Sequence, residues 1–183
     1  MRVLIFTFFM FWGVIPNFGQ YFLELRTEFD DSFREWEILL EKDSSEILGE
    51  LELTWSIGND FTQWRYRVED LDGDIVQKFN NNPGFWELRS VDRLVSIRQV
   101  WPGDPNQWKI SCEDRSFVFR TLYNNQLDEW TLSSNRLGEL VVFTNVLGDP
   151  RDWIVSDFMS DDVSFEERMA AIFIAIYTST PKY

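Results

Sequence analysis

The chain has no histidine and a single cysteine, Cys112. Without His, the Ser/His/Asp and Cys/His catalytic arrangements are excluded, and so are His-ligated metal sites. One Cys can form neither an intrachain disulfide nor a Cys-rich zinc site. Positive charge is scarce as well: 17 Lys and Arg face 31 Asp and Glu, a formal net charge of −14. Such a surface repels phosphate backbones, so nucleic acid is not expected as a partner. What the chain has in excess is aromatic side chains, 17% of its 183 residues, with 9 Trp and 17 Phe. That length suits one domain, and that composition favours strands around a large apolar core.

The tryptophans are periodic. Trp36, Trp64, Trp86, Trp108, Trp130 and Trp153 are separated by 28, 22, 22, 22 and 23 residues. Two places after each stands an apolar residue: Ile38, Tyr66, Leu88, Ile110, Leu132 and Val155. One place after each, five of the six are polar, with Ile154 the exception. That alternation describes a strand with the Trp and its i+2 neighbour on one face. Asp70, Asp92 and Asp114 share an offset from their Trp, at a turn. "DGD" at Asp72 to Asp74 fits a type I′ hairpin. The unit is therefore a β-hairpin. One strand before the first unit and one after the last bring the expectation to about 12 antiparallel strands. A sheet that large removes its edges by closing into a barrel.

The chain ends "DDVSFEERMAAIFIAIYTSTPKY". Ser164 and Glu167 have the spacing of a capping box, and a helix is expected over about 164–178. From Met169 to Tyr177 it is apolar on every side, and it is too short to span a membrane. About 12 strands enclose more space than their own side chains fill. The helix is expected to plug that space, with Met169, Ile172, Phe173 and Ile176 meeting the six Trp. The fold class is thus mainly β, a closed antiparallel barrel enclosing a hydrophobic C-terminal helix.

The first twenty residues have another character. Arg2 precedes an apolar run from Val3 to Ile15, then Pro16, Asn17, Phe18 and Gly19. This is the order of a signal peptide. Residues 1–20 are read as a leader and 21–183 as the domain. The expected location is exported (periplasmic, cell-surface or secreted) if the leader is cleaved, and membrane-anchored or cytoplasmic otherwise.

The words "WRYRVEDLDGDIVQKF" and "DWIVSDFMSDDVSFEERMAAIFIAIYTS" resemble the tubby C-terminal-like superfamily, which includes the phospholipid scramblases and LURP-one-related proteins. The resemblance covers roughly residues 21–180. It implies a 12-stranded barrel around a hydrophobic C-terminal helix, and a function in membrane-lipid handling. No lipid-binding residue of that group maps onto a position here.

Other candidate chemistry is thin. Asp70, Asp72 and Asp74 open like a calcium loop, but Ile75 and Asn81 occupy the positions where that loop needs Gly and Glu. Asp157, Asp161 and Asp162 are weak candidate cation ligands, and capping the following helix accounts for them better. Cys112 shares the inward phase of Trp108 and reads as a small core residue. Arg65, Arg67, Arg89 and Lys109 lie on the outward phase; a solvated sheet face is the default reading of them, and a modest basic stripe the alternative. Phe61 and Trp101 are read as exposed loop aromatics. No cofactor and no catalytic residue is expected. The functional expectation is a non-catalytic binding or scaffolding protein, with membrane lipid or another protein as partner and weak recruitment to phosphoinositides. The alternative is an exported lipocalin-like carrier of a small apolar ligand.

Overall fold

The computed structural model describes residues 21–42, 45–55, 60–80, 82–124 and 126–182. The expected leader lies outside them. Twelve strands follow one another: β1 Tyr21–Thr27, β2 Glu35–Lys42, β3 Ser45–Leu53, β4 Gln63–Val68, β5 Leu71–Phe79 and β6 Asn82–Ser90. Then come β7 Leu94–Gln99, β8 Gln107–Cys112, β9 Arg115–Thr121, β10 Glu129–Ser134, β11 Gly138–Thr144 and β12 Asp152–Met159, before helix α1, Phe165–Ser179. Each strand pairs antiparallel with its chain neighbours, and β1 pairs with β12, so the barrel closes up-and-down.

The alternation expected from the sequence sets the inside. All six periodic Trp are at most 3% exposed, and their i+2 neighbours at most 6%. Helix α1 runs through the lumen, and every residue from Met169 to Ile176 is at most 2% exposed. Phe173 meets the edges of Trp86 and Trp64, with ring centroids 5.2 and 5.8 Å away. Phe22 stacks on Phe165 at 5.0 Å. Edge-on and offset stacked contacts are the preferred aromatic geometries, so the plug gains more than burial alone.

Ser164 caps α1, and the capping box with Glu167 is complete. Three consecutive charged residues, Glu166, Glu167 and Arg168, are buried here. Each is tied to a different stave. Glu166 accepts from Ser90 at the β6–β7 turn, and Glu167 accepts twice from Arg115 on β9. Arg168 pairs with Asp157 on β12 and donates to the carbonyls of Met159 and Ser160. Buried charges persist where partners compensate them, and these three fix the helix's rotation about its own axis.

The "DGD" hairpin expectation is corrected. Val68 pairs with Leu71, so the turn is Glu69–Asp70, and Asp72 to Asp74 lie inside β5. Glu69 holds φ 50°, and Glu113 repeats it in the matching turn at Glu113–Asp114. Gly73 is needed for another reason: a Cβ there would stand 2.7 Å from the Tyr66 ring and 2.7 Å from the Arg89 carbonyl. Its missing side chain makes room for Tyr66.

The seam between first and last strands is short. Among the described residues Glu24↔Ile154, Leu25↔Trp153 and Arg26↔Asp152 pair across it, and the Thr27 N–H donates to the Arg151 carbonyl just beyond them. Asp157 sits beside the unpaired stretch, where the backbone N–H of Met159 donates to it.

Candidate functional site

The loops that join odd to even strands all emerge at one end of the barrel, and a five-residue word builds each of them. The words are Ser32-Phe33-x-x-Trp36, Asp60-Phe61-x-x-Trp64, Asn82-Pro83-x-x-Trp86, Asp104-Pro105-x-x-Trp108, Gln126-Leu127-x-x-Trp130 and Asp149-Pro150-x-x-Trp153. In every word the indole N–H donates to the carbonyl three residues back, at 2.8 to 3.1 Å. In five words the first side chain accepts from the backbone N–H two residues on. This Asx- or Ser-type turn delivers the chain to its strand, and the indole bond locks the Trp inward. The sequence reading found the Trp and missed the four residues before it. The signal was present in Pro83, Pro105 and Pro150 and in the Ser, Asp and Asn ahead of them.

With the Trp turned in, neighbouring apolar residues turn out. Five of the six connections at this end carry an exposed large apolar side chain, and Phe79, the last residue of β5, flanks the sixth. They are Phe29 (51%), Trp55 (62%), Phe79 (49%), Trp101 (65%), Leu122 and Tyr123 (45% and 55%), and Val146 and Leu147 (61% and 85%). The opposite rim is less apolar but not bare: of its described tight turns, Glu69–Asp70, Val91–Asp92, Glu113–Asp114 and Asn135–Leu137, one carries the exposed Val91 (91%), and Leu71 and Leu94 are exposed beside two of them. Single surface apolar residues mean little, but their recurrence at one end makes that end a candidate interaction surface. Trp101 is exposed as expected. Phe61 is not: it is 6% exposed and packs against Trp64, because its place in the five-residue word is the inward one.

The outer wall is electrically two-sided. Across β2 and β3, Glu35 stands opposite Glu52, Glu37 opposite Glu50, and Glu41 opposite Glu46, with Leu39 opposite Leu48 between them. Like charges directly opposite are destabilising, and the Glu37–Glu50 rung is eased by Arg26, which pairs with Glu37, and by Arg67, which approaches Glu50. On the far side of the ring Arg98 stands opposite Lys109, and Arg120 lies one diagonal step away. These three cations have no ion-pair partner among the described residues.

The alternative of a basic stripe is therefore redrawn. Arg65 pairs with Asp74, Arg67 with Glu50 and Arg89 with Glu87, and Lys109 alone of the four joins the unpaired group. Glu87 points outward yet is buried, covered by Lys78 and Arg89. Hydrogen bonds from Lys78, then Arg89, hold its carboxyl below the ordinary glutamate value.

The cation candidates do not form one site. Asp157 is buried against Arg168, whereas Asp161 and Asp162 are exposed. Burial pushes the Asp157 carboxyl above its ordinary value, against the pull of Arg168. Among the described residues no group of three His, Cys, Asp or Glu side chains is placed to hold a metal ion. Cys112 is buried beside Arg93, and burial raises its thiol. At the opposite end of α1, Lys182 lies 4.3 Å from the Tyr177 ring, and burial lowers its ammonium to about 8.

These features define a plugged up-and-down β-barrel with an apolar-tipped rim and a polarised wall. The chain matches no family model, no curated protein and no solved structure.

Proposed function

We propose that the protein is a non-catalytic binding or scaffolding protein that works through its outer surface, in association with membrane lipid. A barrel fold serves binding and carrier roles alike. The observation that favours the outer surface is α1 itself: Met169 to Ile176 occupy the lumen where a carrier would hold its ligand. A helix with its side chains is about 10–12 Å across, which uses most of the interior that about 12 strands enclose. The ring of apolar loop tips supports membrane as the associated surface, and the resemblance to tubby-like and scramblase-like proteins points the same way.

Flotation with phosphatidylcholine vesicles, with and without phosphoinositide, tests the reading. Vesicle association is expected with either composition, phosphoinositide adding no more than the general gain that any anionic lipid gives, and a protein that stays at the bottom of the gradient overturns it. Denaturing mass spectrometry of gently purified protein separates the carrier. A stoichiometric fatty acid or lipid would establish a carried ligand, and a clean protein chain is expected instead.

A further inference from the structure

We propose that one sector of the apolar rim, from β5 to β10, is the face laid on the bilayer. Phe79, Trp101, Leu122 and Tyr123 enter its interfacial zone, and Arg98, Lys109 and Arg120 meet the lipid phosphates. This deepens the reading of membrane association and rests on it.

Four observations converge on that sector. First, its tips are mainly aromatic, and Trp and Tyr settle at the boundary between headgroups and acyl chains because they are apolar with one polar atom. Second, Trp101 and the Leu122–Tyr123 pair stand on two separate connections, while Phe79 ends β5 beside them, packed edge-on against Phe85 in the wall of a shallow cavity that Arg98 also lines. A fluid surface accommodates several protrusions at once, whereas a folded partner would need a matching pocket for each. Third, Arg98 is three residues before Trp101 and Arg120 three before Tyr123. That is at most about 10 Å along the chain. Side chains buried about 5–10 Å into the boundary thus bring those cations to the phosphate layer. Fourth, the three cations have no ion-pair partner among the described residues, although two of them stand directly opposite each other. Phosphates in that place would relieve the repulsion.

The Glu ladder on β2 and β3 sets the orientation. It lies across the ring from β8 in the twelve-strand order. An anionic surface attracts one wall and repels the other, so the molecule is turned before it lands. The apolar tips act on any phospholipid, and the cations add to binding where anionic lipid is present.

Hydrogen exchange of the full-length chain, free and on vesicles, tests the proposal, with flotation as the check that the protein is bound. Phosphatidylcholine vesicles are used alone and with phosphatidylserine added. Bound protein should show exchange slowed several-fold at residues 100–106 and 122–124, and unchanged exchange in β2 and β3. Protein bound with those loops unchanged overturns the docking face and leaves membrane association standing. Protein that binds neither vesicle overturns both. In Trp101→Asp/Tyr123→Asp the slowing at 100–106 should vanish, and its persistence would also count against the proposal. Arg98→Glu/Lys109→Glu should lose the gain in binding that phosphatidylserine gives. Retention of that gain would remove the cations from the docking face. Thermal melting of both variants confirms the fold.

Discussion

Glu167 and Arg115, fifty-two residues apart, are joined by two parallel hydrogen bonds of 2.9 Å each, and the Glu167 side chain is 1% exposed. This pair fastens the start of the plug to a stave made long before it. Arg115→Ala should cost about 3–5 kcal/mol, because it strands a buried carboxylate. Glu167→Gln should cost about 1–3 kcal/mol, because hydrogen bonding survives while the charge is lost. Urea unfolding of both variants and their double mutant measures the coupling, and independent effects would show that the pair is not one unit.

The plug should not tolerate charge in its middle. Ala175 is 0% exposed, with Phe173 and Ile176 beside it in the lumen. Ala175→Asp should cost on the order of 3–5 kcal/mol, since nothing nearby compensates a new carboxylate. Wild-type-like melting of that variant would mean that α1 does not lie inside the barrel.

The facing glutamates on β2 and β3 predict a salt effect of unusual sign. Screening weakens repulsion, so added sodium chloride should raise the melting temperature rather than lower it. Glu46→Gln, which relieves the Glu41↔Glu46 pair, should stabilise by about 0.2–1 kcal/mol and reduce the salt response. A melting temperature that falls with salt would contradict this.

Glu87 supplies a pH dependence. Its carboxyl is held below the ordinary 4.5 by Lys78 and Arg89. For an acid lowered in the folded state, the stabilisation is fully present above the unfolded value and is lost as pH falls through the folded one. The stability difference between wild type and Glu87→Gln should therefore be widest near neutrality and close below about pH 4.5. A difference independent of pH would show that the two cations do not act on this charge.

The barrel was legible because it repeats. Six Trp with apolar i+2 neighbours announce one face of one strand six times, and an apolar helix of that length needs an enclosure. The hairpin turn was misplaced because Asp72-Gly73 has ideal turn chemistry, while the pairing of Val68 with Leu71 depends on register across two strands. Register also hid the Glu ladder, since Glu35 and Glu52 become neighbours only once β2 and β3 are aligned. The tie from Glu167 to Arg115 follows no local pattern at all. Composition showed an acidic protein, yet it could not show that the three unpaired cations gather on one wall, which is a property of the closed ring.

The closing of the ring on its own last strand also fixes an order of assembly. In chain order β1 precedes the other strands, so its outer edge waits for β12, and the lumen waits for α1, which follows all twelve strands. Until then the six tryptophans line a sheet that has nothing to pack against. Before β12 and α1 are made, the ring has no closing strand and the Trp-lined face has no helix to pack against, so the seam and the filled lumen are the parts of the fold that local chain order cannot complete early.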